Sequence, residues 1–148
     1  MASHREHEEK VKYLFVVRPD PGQIGQIETL YRAAGWWTDE DDSIPGRARR
    51  IVSGSHCFVV AIKEEEIVGM GRAISDRASD AYIQDVIVKE SFRRKGIATR
   101  IVKLIMKRLE EDGISWIGLI AVKDSDDLYR KLGFKEISSR VPMSIDGC

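Results

Sequence analysis

The stretch Tyr82–Leu109, YIQDVIVKESFRRKGIATRIVKLIMKRL, constrains this chain more than any other. Ala81 to Val88 is rich in β-branched residues and runs into a polar connection at Lys89–Ser91, which predicts a buried or half-buried strand. From Gly96 the period changes. Ile97, Ile101, Leu104, Ile105 and Leu109 recur at three- and four-residue spacing, on one face of an amphipathic helix. Between strand and helix lies Arg93-Arg94-Lys95-Gly96-Ile97-Ala98-Thr99. A glycine opening a helix lets a ligand approach the backbone closely. The first helical turn presents unpaired N–H groups and the positive end of the helix dipole. With three cationic side chains beside it, this is a cradle for a phosphate or pyrophosphate. The plainer reading of the same residues is a helix start with a surface basic cluster.

Two patterns that would specify the anion are missing. There is no G-x-x-x-x-G-K-[ST], so the lysine and hydroxyl of a P-loop are absent, and no G-x-G-x-x-G for a dinucleotide. What stands there is R-x-x-G-x-A, Arg93 to Ala98, preceded by Val86-x-Val88. This closely resembles the acyl-CoA-binding signature of the GNAT superfamily of N-acetyltransferases, R/Q-x-x-G-x-G/A. The resemblance implies that Arg93, Arg94, Lys95, Gly96, Ile97, Ala98 and Thr99 hold the pyrophosphate of coenzyme A. It also implies that the strand end, Val86, Ile87 and Val88, pairs with pantetheine.

The rest of the chain bounds the function classes. Its 148 residues suit one domain able to bury its own core, read as residues 12–148 after a flexible segment 1–11. Lys plus Arg number 24, as do Asp plus Glu, which argues against a general nucleic-acid or membrane-surface binder though not against a local patch. Two cysteines, Cys57 and Cys148, are too few for a disulfide framework and fit a reducing compartment. Cys148 stands last, where prenylation would need the fourth position from the end. No apolar run approaches membrane-spanning length and the start lacks a signal-peptide core, so a cytoplasmic location is expected. His4 and His7 have a helical metal-ligand spacing, but nothing nearby completes a site, and no metal is expected.

In order, Lys12–Val17 reads as a strand, the Pro- and Gly-containing 18–22 as a turn, and Gln23–Ala34 as a helix with Ile24, Ile27, Tyr31 and Ala34 on one face. Trp36-Trp37-Thr38-Asp39-Glu40-Asp41-Asp42 has two readings. It forms part of a pocket for a cationic substrate, or it is a core tryptophan, a surface one and an acidic helix cap. Pro45–Ser53 is a second helix. Strands follow at Cys57–Ile62 and Ile67–Ser75, the latter with Gly69 and Gly71 marking a bend or close packing. After the long helix come a buried strand, Trp116–Val122, and a short helix, Ser125–Leu132, capped by Asp124. Final strands are expected at Phe134–Ser138 and Met143–Ile145. The pattern predicts an α/β domain with a mixed sheet of six to seven strands and four helices.

This order resembles the GNAT fold from about Lys12 onward. A second motif supports it: Leu128-Tyr129-Arg130-Lys131-Leu132-Gly133-Phe134 is similar to the family's F/L-Y-x-K-L-G-F, which implies a Tyr129 hydroxyl facing the coenzyme sulfur. Read locally, the same residues are a packed helix end. Some positions depart from the family pattern. Val122 stands where an asparagine is common, with Asp124 or Ser125 as the neighbouring replacements. No glutamate occupies the inner face of the central strand, where several relatives carry a base. Strand alternation groups Tyr82, Gln84, Val86 and Val88 on one face and Ile83, Asp85 and Ile87 on the other.

The resemblance therefore implies an acetyl-CoA-dependent N-acetyltransferase that acts on a primary amine, small molecule or protein, by direct transfer in a ternary complex. Tyr129 is the candidate acid for the departing thiolate. Trp36, Trp37, Asp39, Glu40, Tyr82 and Gln84 are the candidates for acceptor binding. A homodimer is compatible with the sequence. An acyl-enzyme on Cys57 is disfavoured, because its neighbour His56 would point to the opposite face. The alternative is a catalytically weak acyl-CoA-binding regulatory module. The acceptor's identity is not written in the residues.

Overall fold

Four short apolar runs pair antiparallel in chain order, the first reaching the second through two helices and the others joined by polar turns, and one long amphipathic helix then carries the chain back across the sheet. The computed structural model describes residues 10–38 and 44–145. In order, the elements are β1 (Lys12–Phe15), α1 (Pro21–Ala33), α2 (Arg47–Gly54), β2 (Cys57–Lys63), β3 (Glu66–Ser75) and β4 (Asp80–Val88). A 3-10 turn (Glu90–Phe92), α3 (Ile97–Glu111), β5 (Trp116–Leu119) and α4 (Asp126–Lys131) complete it. The five strands lie in sequence order in one sheet. The first three pairings are antiparallel; β4 and β5 are parallel, the arrangement that requires the α3 crossover.

Local signals set α1 and α3. Asp20 accepts a hydrogen bond from the Gln23 amide (2.8 Å) while the Gln23 side chain accepts one from the Asp20 amide (3.0 Å), a reciprocal cap that starts α1 with Pro21 in its first turn. In α3 the stripe Ile97, Ile101, Ile105 and Leu109 is fully buried against one face of the sheet. The other face packs on α1 and α2 through Ile27, Leu30, Val52, Phe58, Val60 and Met70. Apolar surface is thus removed from water on both sides of the central strands, the main source of stability for a domain of this size. Gly69 and Gly71 serve close packing. A Cβ on Gly71 would meet Ile101 Cγ2 at 2.7 Å, so the helix lies directly on the β3 backbone.

Several expectations change. Among the described residues the sheet has five strands, not six or seven, because 134–145 joins no ladder. Val141 and Met143 are 80% and 91% exposed, so the apolar alternation there buries nothing. β5 stops at Leu119, short of Val122, and is not buried: it pairs with β4 alone, and Trp116 is 40% exposed. Asp124 does not cap α4. It adopts left-handed backbone, and Ser125 occupies the cap position without a capping side-chain bond.

The most consequential change is in β4. Across from it, Met70 pairs with Ile87 and Arg72 with Gln84, so Gly71 stands opposite two residues, Asp85 and Val86. That is a β-bulge, with Asp85 at φ 57° in the left-handed region that aspartate tolerates better than most residues. The extra residue resets the alternation. Ala81, Ile83, Val86 and Val88 belong to the α3-side core, and Ile87 to the core on the α1 side. The expected grouping of Val86 and Val88 with Tyr82 and Gln84 is therefore overturned, and Asp85 lies on the α1 side, where Tyr31 reaches it.

Candidate active site

β4 and β5 pair only from Asp80 opposite Trp116 to Ile83 opposite Leu119. Beyond that β5 has ended while β4 runs on to Val88, so the two strands part and the Gln84–Val88 edge has no ladder partner on this side. A cavity of about 650 Å³ opens in the gap. Its walls bring together residues far apart in the chain: Trp36 after α1, Tyr82 to Val86 on β4, Arg93, Arg94 and Ala98 at the α3 start, Leu119, Ile120 and Val122 at and beyond the β5 end, and Asp124, Ser125, Leu128 and Tyr129 around α4. A smaller cavity of about 180 Å³ adjoins it at the first turn of α3, lined by Val88, Phe92, Gly96, Ile97 and Thr99 and sharing Arg93, Arg94, Ala98 and Leu128.

The α3 end is built from local sequence. Gly96 takes φ 78° at the helix cap, a conformation that costs glycine little, and no side chain caps the helix. The first amides of α3 are thus left without a side-chain partner. Arg93 Nε donates to the Val88 carbonyl (3.1 Å), which ties the cationic loop to the end of β4. Lys95 lies outside both cavities, its Nζ 5.6 Å from the centre of the Phe92 ring. Ile87 buries its side chain in the α1-side core, which confines any contact with a ligand to its backbone.

The α4 wall carries Tyr129, packed edge-on against Phe134 at 5.9 Å. Burial pushes its phenol pKa up, so the hydroxyl keeps its proton at neutral pH. Ser125 Oγ donates to the Val122 carbonyl (2.6 Å), which holds this turn closed.

The opposite wall carries Trp36, Tyr82 and Gln84, with Tyr82 edge-on to Trp116 at 5.2 Å. Trp37 does not line the cavity. It stacks on Tyr31 at 4.3 Å with the Arg47 guanidinium 5.0 Å from its ring centre, so adjacent tryptophans have different roles. Asp39 and Glu40 lie outside the described residues, as do His4, His7 and Cys148. Among the described residues no group of three or more His, Cys, Asp or Glu side chains could hold a metal, and no helix is long and apolar enough to cross a membrane.

Sequence reasoning missed Asp85. Its Oδ2 accepts hydrogen bonds from Arg72 Nε (2.6 Å) and the Tyr31 hydroxyl (2.7 Å), and its side chain is 19% exposed, in the cavity wall. Burial, then Asp85 itself, pushes the Tyr31 pKa far up, which keeps that hydroxyl a donor. Arg72 also reaches Gln84 Oε1 (3.4 Å) and Ser55 Oγ (3.4 Å). An aspartate inside a β-branched run was the available signal, since it is a poor strand former that accepts left-handed backbone. Chemically, the cavity combines cations from the α3 start, the Asp85 and Asp124 carboxylates, aromatic side chains and a protonated phenol.

Residues 14–134 match the description "Acetyltransferase (GNAT) family". An uncharacterized N-acetyltransferase ycf52 of Pyropia yezoensis is 35% identical over 114 residues, which cover 74% of this chain and 63% of that protein. The chloroplastic GCN5-related N-acetyltransferase 2 of Arabidopsis thaliana is 34% identical over 73 residues, covering 49% and 28%. A crystal structure of a probable acetyltransferase from Staphylococcus aureus superposes with a TM-score of 0.78 at 23% identity, covering 93% of this chain and all of that one, a likeness of fold. The chain spans 28% to 63% of the length of the first curated relatives it matches. With the family's pattern running from β1 to the end of α4, and the same fold in a solved acetyltransferase, this chain belongs to the acetyltransferase (GNAT) family.

Proposed function

We propose that this chain transfers the acetyl group of acetyl-CoA to a primary amine, directly within a ternary complex. The observation that carries the reading is the gap between β4 and β5, where one cavity joins a cationic helix start to an aromatic and acidic wall. The residues present fit the coenzyme. Arg93, Arg94 and the amides from Gly96 to Thr99 would hold its pyrophosphate, and the unpaired β4 edge near Val86 to Val88 would take its pantetheine amides. Bound there, the coenzyme supplies an acyl carbon activated as a thioester.

The chain's own residues would do the rest. An N–H on the open β4 edge polarises the carbonyl. Tyr129 gives a proton to the leaving sulfur, and Asp124 and Ser125 shape the turn beside it. Trp36, Tyr82 and Gln84 receive the acceptor, with Asp39 and Glu40 proposed beside them on the strength of the sequence. Holding amine and thioester together supplies much of the acceleration. An acyl-enzyme on Cys57 is not supported: both ring nitrogens of His56 are taken, by Ser75 Oγ (2.6 Å) and Asp112 Oδ2 (2.7 Å). Burial also pushes the Cys57 thiol up to about 11. The chloroplastic name of the Arabidopsis relative supports a plastid location in place of the cytoplasmic one expected from the sequence.

The test is release of free thiol from acetyl-CoA with phenethylamine, spermidine and a short peptide with a free N-terminus, alongside calorimetry of coenzyme A binding. Turnover of one of them is the expected result. Tight coenzyme binding with no transfer to any amine would instead identify an acyl-CoA-binding regulatory module.

A further inference from the structure

We infer that Trp116, laid over Gly118 on β5, selects the acceptor by its body and favours primary amines that carry a flat apolar ring. The inference rests on the transferase reading above and adds a residue which that reading does not use. The sheet sets the arrangement. Ala81 and Ile83 on β4, with Ile117 and Leu119 on β5, belong to or pack against the α3-side core. By alternation Tyr82, Trp116 and Gly118 face the other way. Tyr82 pairs with Gly118 across the ladder, and its ring meets that of Trp116 edge-on, 5.2 Å between centres. On this face the core under α1 and α2 takes only Ile87 from β4 and nothing from β5. Tyr82 and Trp116 are accordingly exposed, as is Trp36, which lines the same cavity as Tyr82.

Gly118 shows that the ring's place is built into the strand. A Cβ there would stand 2.3 Å from Cη2 and 2.7 Å from Cζ3 of Trp116, so the indole fills the space of a side chain. The Gly118 backbone is not left-handed, so conformation does not call for glycine. Glycine weakens a strand interior; here its use is to let a large ring lie along β5 toward Tyr82. Clustered aromatic surface beside a cavity marks a binding surface, where a single exposed apolar residue would not.

Position and charge choose the occupant. The open β4 edge, proposed to polarise the thioester, begins at Gln84, two residues and about 7 Å along the strand from Tyr82. An amine that reacts there and carries a ring on a short alkyl tether lays that ring on Tyr82 and Trp116. Aromatic side chains attract a flat partner beyond what apolar burial supplies. A polyamine is served less well. Asp80 is the one carboxylate on this face of the β4–β5 ladder, and Asp85 beyond it is bonded to Arg72 and Tyr31. Arg93 and Arg94 in the cavity wall repel additional cations.

The test measures kcat and KM for phenethylamine, 2-cyclohexylethylamine, butylamine and spermidine. The parent should have its highest kcat/KM with phenethylamine, roughly threefold or more above the cyclohexyl analogue, which has the same tether and a similar size but no flat ring. Trp116→Leu keeps apolar bulk and removes the ring. Gly118→Val keeps the tryptophan and pushes its ring off β5. Each should raise the phenethylamine KM roughly tenfold at near-parent kcat, and cut the preference over butylamine by a similar factor. Coenzyme A affinity by calorimetry should stay near that of the parent. Lowered melting temperatures with an unchanged amine preference would make Trp116 a cover for β5 and overturn the inference alone. So would a parent that favours spermidine or butylamine, or treats the flat and the cyclohexyl ring alike. A parent inactive toward every amine, with coenzyme A bound, overturns the transferase reading and the inference with it.

Discussion

The two ends of the cavity are built in opposite ways. The end proposed for the coenzyme is, Leu128 apart, one contiguous stretch, Val88 to Thr99, in which a strand end, a cationic loop and a left-handed glycine follow each other directly. The end proposed for the acceptor is assembled from Tyr31 on α1, Trp36 beyond it, Arg72 on β3 and Tyr82 to Asp85 on β4. A site made by one short segment depends on local backbone conformation, and a single residue can remove it. A site made by four segments depends on packing and register, and tolerates change at any one of them better.

The largest expected effect strikes the contiguous end. Gly96→Glu forces a side chain into φ 78° and places a negative charge where an anion would sit, and coenzyme A affinity should fall by more than about 100-fold. Unchanged binding in calorimetry would mean that the start of α3 holds no part of the coenzyme. Next is the link between the ends: Tyr129→Phe keeps the ring against Phe134 and removes the donor. Turnover should drop on the order of 100-fold with coenzyme affinity preserved; an undiminished rate constant would reassign the proton to water.

Gly71→Ala attacks what both ends share. Its methyl would press on Ile101 and on Val86 at the bulge, and should cost about 1–3 kcal/mol of stability in urea unfolding. A neutral outcome would mean that α3 can lift off the sheet without harm. At the assembled end the expectation is milder and split between neighbours. Trp36→Ala should raise the Michaelis constant of the amine by roughly five- to tenfold, while Trp37→Ala, whose ring stacks on Tyr31, should act chiefly on stability. Equal kinetic effects from the two would erase the distinction.

The smallest effect lies at the far end of β3 and β4. Asp76 Oδ1 accepts hydrogen bonds from the amides of Ala78, Ser79 and Asp80 (2.8, 2.8 and 3.1 Å), which hold its pKa well below the usual carboxylate range. A depressed folded-state pKa contributes stability above the unfolded value of about 3.9 and loses it as pH falls further. Asp76→Ala should therefore melt slightly below the parent at pH 7, and the gap should narrow as the pH is lowered below about 4. Kinetics at the site should not change.

Much of this chain was legible as a string. The α3 stripe, the position of Gly96 and the strand runs of β2 to β4 depend on residues within a few positions of each other, where periodicity and turn chemistry act directly. So did the role of Gly69 and Gly71 as places of close approach, although not the identity of Ile101 as the neighbour. The end of the chain was misread because an apolar alternation such as Val141-x-Met143 predicts a strand only if an edge accepts it, and in the structure no ladder forms there.

The sequence by itself determined that this chain has a strand, an anion-ready loop and a helix in immediate succession, and which family that motif belongs to, because those are properties of neighbouring residues. Only the tertiary structure decided which way Asp85 faces. One inserted residue opposite Gly71 reverses the alternation of β4, and a period-two pattern carries no mark of where it slips. The same holds for the separation of Trp36 from Trp37 and for the pairing of Asp85 with Arg72 and Tyr31, 13 and 54 positions away. Contacts at that distance depend on how sheet and helices pack, and packing is a property of the whole fold.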